Sequence, residues 1–391
     1  MATLRSGLFL LCFMKLGLLL PTSKLYPTLM IDFSAGVRMA ISEFGLDNEI
    51  ELIFESIHQG TDKNMVLNSM NKLVLQHQTE VNILFSNFLL MKDISSSINA
   101  LQRPTVLTNI GGNIPNDFDS GEYILSNSFG LWESAYLAGK WATKKFGKKT
   151  AHGSYFYEAG YNLYGSFCQG LKEEGGEVIF NQISELNPNP DDFQNFMKQM
   201  EVETPDFLYM LYSDRDAADF LNKLSKSPEN GKYPIVTSGV LINDEVLENV
   251  EGMPENVFNV ASWDVSDETD ENKKFVETYK EQTGNSPNYF SLMGYECAAS
   301  IFSAMQQEGW SKNGKDQVEA IKNNNFISPR GELKFDESNS TSVGHHIYKM
   351  DATRKRIKID SLGVLAKRSE LIESTKTGQD LAGWFQPYLC Q

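Results

Sequence analysis

Apolar residues along this chain fall in short runs that alternate with longer stretches carrying an apolar face at helical spacing. Lys15-Leu16-Gly17-Leu18-Leu19-Leu20-Pro21 reads as a buried parallel strand ended by proline. A helical pattern follows from Ile31 to Phe44, then a strand from Ile50 to Glu55. Asp62 to His77 carries a helical stripe at Met65, Val66, Met70, Leu73 and Val74. Val81–Phe85 and Thr105–Thr108 are short β-rich runs, and Met91 to Leu101 between them is long enough for a helix. Repeated β-α-β of this kind predicts a mostly parallel sheet.

The rhythm then restarts. Helices are predicted over 132–146, 162–174, 191–200 and 215–224, and strands over 149–154, 177–181, 207–211 and 234–237. Val257 to Ala261 reads as a strand that returns the chain to the first half. Helices over 271–283 and 289–307, a short one over 317–322 and a hairpin of 348–350 with 357–359 complete the pattern. The fold class is α/β, with two Rossmann-like lobes that interleave. The tail from Gln379, with Trp384, Phe385 and Tyr388, is expected to pack back onto a lobe.

At 391 residues the chain is long enough for two cores. Its net charge of −16, with no Lys/Arg-rich block, excludes the concentrated basic face that nucleic acid requires. Cys12, Cys168, Cys297 and Cys390 show no CxxC spacing and read as free, mostly buried thiols, with a long-range disulfide left open. His345 and His346 are adjacent on a predicted strand and face opposite ways, so they cannot share a metal. Leu8 to Phe13 after Arg5 resembles the start of a signal peptide, but its apolar region is short and lacks a small-x-small cleavage site. Residues 1–13 read as a truncated leader or as an artefact of start-site choice.

Neither G-x-G-x-x-G nor G-x-x-x-x-G-K-[ST] occurs, and there is no G-x-S-x-G elbow. The pairs Asp191-Asp192 and Asp336-Glu337 fall at helix starts or turns, where capping and solvation account for them. His152, at the carboxyl end of a strand, is the residue around which an enzyme of another α/β class would be built.

Several segments, in order, resemble the type I periplasmic solute-binding proteins, the branched-chain amino acid-binding group of transporter receptors. Ser286-Pro287-Asn288-Tyr289 leads into Gly294-Tyr295-Glu296-Cys297-Ala298-Ala299, and Pro329-Arg330-Gly331-Glu332-Leu333-Lys334-Phe335-Asp336 follows. The run from Lys15 to Ser23, Ala35 to Ala40, Gly165 to Gly176, and Pro205-Asp206-Phe207-Leu208-Tyr209 carry the rest. The resemblance covers about residues 15–360. It implies two lobes joined by three crossovers near 126–131, 260–264 and 332–336. Lobe 1 would comprise 14–128 and 262–332, lobe 2 129–261 and 333–360, and 361–391 an extension packing on a lobe.

By the same resemblance the protein would be a periplasmic or extracytoplasmic receptor, not an enzyme. It would clamp a small polar, aromatic or amino acid-like solute and deliver it to an ABC permease, without a cofactor. A sensory module of the same fold is the alternative. Cleft residues should lie just past strand ends. On lobe 1 these are Ser23, Tyr26, Ser86, Asn87 and the Asn109, Gly111, Asn113 loop; on lobe 2 they are Tyr155, Tyr161, Tyr212, Ser213 and Gly239. Tyr295 joins them from the long helix, and Trp263 reads as a hinge-packing residue.

This chain departs from the amino acid binders of the family at two places. Thr237-Ser238-Gly239 holds no carboxylate for a ligand ammonium, and Phe88-Leu89-Leu90-Met91 holds no hydroxyl set for a ligand carboxylate. A standard leucine-like ligand is not expected.

Overall fold

The computed structural model describes residues 14–375, except 117, 186, 188, 190, 240, 241, 308 and 309. The predicted leader and the aromatic tail, with Cys12 and Cys390, lie outside the described residues. The first sheet holds β1 (Met14–Leu20), β2 (Ile50–Ser56), β3 (Val81–Phe85), β4 (Thr105–Asn109) and β5 (Ile124–Ser128). Their order is β2-β1-β3-β4-β5, all parallel. Strands β3, β4 and β5 are buried at every position, which is why they read as continuous runs. Connections run through α1 (Leu29–Glu43), α2 (Lys63–Asn71) and α3 (Phe88–Asn99). A π-turn over Lys72–Gln76 extends α2, which the helical stripe alone did not reveal.

The second lobe alternates α4 (Leu131–Phe146), β6 (Lys149–Ser154), α5 (Leu163–Glu173), β7 (Glu177–Ile183), α6 (Asp192–Glu203) and β8 (Phe207–Leu211). It continues with α7 (Asp214–Ser225), β9 (Ile235–Thr237), α8 (Asp244–Leu247) and β10 (Val257–Ala261). The chain then returns through α9 (Asp270–Thr283), α10 (Tyr289–Met305) and α11 (Gly314–Asn323) beside the first sheet. β11 (Phe326–Ser328), β12 (Gly331–Phe335) and β13 (Thr341–Ser342) form a small antiparallel sheet. Finally β14 (Gly344–Met350) and β15 (Arg356–Val364) join the second sheet, and α12 (Arg368–Thr375) follows. That sheet has the order β15-β14-β10-β9-β8-β6-β7, antiparallel only at β10-β14 and β14-β15. Because β12 pairs with β11 and β13, the chain enters the second sheet only at Gly344.

One apolar core runs from α1 and α10 on the first sheet to α4 and α5 on the second, and two smaller cores back the other faces. The small residues that mark α10 in the sequence have a direct cause. A Cβ on Gly36 of α1 would lie 2.0 Å from the Ser291 carbonyl oxygen, and one on Gly294 would lie 2.1 Å from that of Phe33. The two helices touch backbone to backbone, and only glycine fits.

The crossovers meet on one buried arginine. The Arg330 guanidinium donates to both carboxylate oxygens of Glu296 (2.8 and 2.6 Å), to Asn127 Oδ1 (2.9 Å), to the Ser128 carbonyl (3.2 Å) and to Ser262 Oγ (3.3 Å). It thereby ties the first passage (Ser128) to the second (Ser262), from just ahead of β12. On the other side, Arg368 of α12 pairs with buried Glu133 of α4 at 2.8 Å. His345 is buried while His346 is partly exposed, the opposite facing expected of strand neighbours.

Candidate functional site

Residues just past the carboxyl ends of β4 and β5 (Ile110, Phe129) and of β9 and β10 (Gly239, Trp263) line one cavity of about 210 Å³ between the lobes. Its apolar walls come from the first passage (Phe129, Leu131), the second (Trp263) and the turn before α10 (Pro287, Tyr289), with Ile242 from lobe 2. Tyr289 packs on Phe129 at 5.8 Å between ring centres. Trp263 donates from Nε1 to Asn272 Oδ1 at 2.8 Å and packs against Phe275, and it also lines the cavity.

Polar groups converge on the same space. Asn243, Asp244, Glu245 and Glu248 arrive on α8 and its approach, Asn259 on β10, and Asn288 from the α10 turn. Arg356 is the one cation among the described lining residues, and its donors are engaged. Nε binds Asp264 at 2.8 Å, Nη2 binds Asp244 at 2.6 Å, and Nη1 donates to the Ile242 carbonyl at 3.0 Å. Burial raises the Asp264 pKa, and the Arg356 charge opposes that rise. Glu245 is exposed to solvent along part of its side chain, and desolvation of the rest against the cavity, helped by Asp32 and Asp244, pushes it up to about 7. Its Oε2 accepts from the Asn243 amide at 3.0 Å.

The helix starts that reach the cavity are already capped. Asn288 Oδ1 accepts from the amides of Phe290 and Ser291, and Asn243 Oδ1 from that of Val246. At the start of α4, the Leu131 and Trp132 amides donate to the carbonyls of Ile110 and Gly111.

Of the positions nominated from sequence, Gly239 lines the cavity. Its positive φ of 97° excludes most side chains, and a Cβ there would strike Leu131 at 2.3 Å; its amide donates to Asn259 Oδ1 at 2.7 Å. Tyr26 stands one layer behind, edge-on to Tyr289 at 6.1 Å. Ser23 accepts the Tyr26 amide at 3.0 Å, a turn-capping role.

Asn109 braces the loop beneath the cavity, donating to the Ser86 carbonyl while its Oδ1 accepts from the Gly111 amide and Ser128 Oγ. Asn87 caps α3 through Leu89, and Asn113 is buried. The Tyr161 ring packs on Gly112, and Asn162 beside it bridges the lobes, its amide donating to Gly112 O and its Oδ1 accepting from Ile114, both at 3.0 Å.

Tyr155 and Tyr212 line a separate cavity of about 60 Å³ within lobe 2. Ser213 donates to buried Glu158, whose pKa burial pushes up to about 7. Tyr295 sits in the lobe 1 core, packed on Phe275 and Phe326 and donating to Glu43 at 2.7 Å. His152 is also a core residue, stacked on Tyr164 and bonded to Asn181, and burial lowers its pKa to about 4.

Sequence reading missed Phe129, Asp244, Glu245, Asp264 and Arg356. The carboxylates absent at Thr237-Ser238-Gly239 arrive a few residues later, on α8. The Ser286-Pro287-Asn288-Tyr289 turn, which carries part of the family resemblance, brings an aromatic to the cavity, although Tyr289 was not among the nominated positions.

A family model described as periplasmic binding protein matches residues 14–355. The Leu/Ile/Val-binding protein homolog 6 of Brucella suis biovar 1 is 22% identical over 344 residues, spanning 85% of this chain and 86% of that protein. Among solved structures, a solute-binding protein of an ABC transporter from Rhodopseudomonas palustris BisB5, in complex with 3,4-dihydroxybenzoic acid, superposes with a TM-score of 0.76 at 19% identity, covering 92% of this chain and 99% of that one. LivJ from Streptococcus pneumoniae, in complex with isoleucine, gives a TM-score of 0.69 at 15% identity, covering 90% and 99%. At these identities the likeness of the structures is one of fold.

Proposed function

The chain belongs to the periplasmic binding protein family, and from that premise we propose that it is an extracytoplasmic receptor that clamps one small solute between its lobes and presents the loaded form to an ABC permease. The observation that carries this reading is the cavity between the lobes, walled by Phe129, Trp263 and Tyr289 from two passages and lobe 1 and by α8 from lobe 2. A solute there touches both lobes at once, so it favours the closed arrangement over an open one, and a permease can distinguish the two. The Asn162–Gly112 and Asn243–Tyr289 contacts latch the same closure.

The rigid bodies on this reading are residues 14–128 with 262–343, and 129–261 with 344–364, the third passage lying later than 332–336 because β12 and β13 stay beside the first sheet. Gly239 contacts the solute, while Asn109 and Gly111 hold the cavity floor. Binding without chemistry is supported by the match of residues 14–355 to the periplasmic binding protein family. No helix among the described residues is long and apolar enough to cross a membrane.

The test is thermal unfolding of the full chain against amino acids, amides, aromatic acids and ammonium compounds. A solute at 100 times its Kd adds about 2.7 kcal/mol. The Tyr289→Ala variant, itself folded by circular dichroism, should show a smaller response at the same solute concentration. A panel without any shift would count against solute capture.

A further inference from the structure

We propose that the solute is a small organic ammonium ion that carries no carboxylate group, held between the aromatic walls Phe129, Trp263 and Tyr289 with Glu245 as its counter-ion. This rests on the receptor reading above and names the ligand chemistry of the same cavity.

The charge balance of the lining supplies the first argument. Four carboxylates face one arginine, and that arginine is spent on two of them and on the Ile242 carbonyl. Neither Glu245 nor Glu248 has a cationic partner among the described residues; the Asn243 amide bound to Glu245 is neutral. Asp32, hydrogen-bonded to Asn288 at 2.9 Å, adds negative charge just behind the cavity. An entering cation relieves this repulsion, and an entering anion adds to it.

The second argument concerns donors. A carboxylate ligand needs a free cation or a set of uncommitted amides. The starts of α8 and α10 are capped by Asn243 and Asn288, and the first amides of α4 are bonded to Ile110 and Gly111. A zwitterionic amino acid would bring its carboxylate among Asp244, Glu245, Glu248 and Asp264 with no uncommitted cation among the described lining residues to hold it, a penalty that neutral donors such as Tyr289 and Asn259 offset only in part. An aromatic acid such as those bound by some of the structural neighbours faces the same penalty.

The third argument is the walls. Phe129 already holds the Arg330 guanidinium 5.7 Å from its ring centre, so Trp263 and Tyr289 are the lining rings that attract a desolvated ammonium through their quadrupole. At about 210 Å³ the cavity is below the range of about 300–1,000 Å³ usual for drug-sized ligands, so the cation is small.

The experiment titrates the full chain by calorimetry with choline, ethylammonium, agmatine, isoleucine and benzoate, all as sodium or chloride salts at one ionic strength. An ammonium ion is expected to bind while isoleucine and benzoate do not. Glu245→Gln should weaken binding about tenfold, and Tyr289→Ala roughly two- to thirtyfold. Lys226→Gln, in an exposed pair with Glu251 outside the cavity, should leave it unchanged. Binding of isoleucine or benzoate in place of the ammonium ions overturns the ligand class and leaves the receptor reading standing. Ammonium binding that neither cavity variant weakens overturns the site. If nothing binds, both the inference and solute capture fail.

Discussion

Glu158 is a buried carboxyl of lobe 2 with only one of its oxygens satisfied. That oxygen accepts from Ser213, and the other has no partner among the described residues. Desolvation, with a smaller contribution from Asp216, pushes its pKa from 4.5 up to about 7. The stabilisation from its neutral form is therefore fully present below about pH 4.5 and is lost as pH rises through about 7. Glu158→Gln should be near neutral at pH 4.5 and more stable than the parent by up to about 3 kcal/mol at pH 8, since each pK unit is worth about 1.4 kcal/mol. Urea unfolding at the two pH values measures this, and an equal difference at both would sink the explanation.

Between elements, the contact of α1 with α10 sets the shape of lobe 1. A side chain at Gly294 meets the Phe33 backbone, which cannot swing aside as a rotamer can. Gly294→Val should lower stability by at least about 3 kcal/mol, the upper range for overpacking. Gly165, on the exposed side of α5, has nothing within 4 Å of its Cβ position, so Gly165→Ala should raise stability by about 0.5–1 kcal/mol. Urea midpoints of the two variants test both signs. The helices themselves were legible because their apolar faces repeat at helical spacing. The four-residue α8 was not, since so short an element has no period, and it carries Asp244 and Glu245 to the cavity.

Across the whole molecule, Arg330 makes the crossovers one unit. Arg330→Met would strand the Glu296 carboxylate in the core, at a cost of about 3–5 kcal/mol. Adding Glu296→Met should recover much of that loss while leaving Ser128 and Ser262 untied. The double variant should then fold yet scatter X-rays as a more open particle without solute. Recovery of stability with an unchanged radius of gyration would show that other contacts set the lobe angle.

The parallel strands, the two-lobe α/β class and the family resemblance were all readable from the chain. Strands buried on both faces must be apolar throughout, and amphipathic helices must repeat their apolar positions, so these demands are local and leave a local record. The Pro329-Arg330-Gly331 segment was visible too, although nothing in it announced that its arginine would be buried against Glu296. The binding site was mostly illegible. Phe129, Trp263, Tyr289 and Arg356 are far apart in sequence and meet only because the chain passes between the lobes repeatedly. Tyr295 and Tyr289 lie on one helix and look alike as residues. Only the packing of α10 on α1 turns Tyr295 into the core toward Glu43 and leaves Tyr289 at the cavity. Local periodicity thus determined the elements, and long-range packing decided which side chains share the space where a ligand sits.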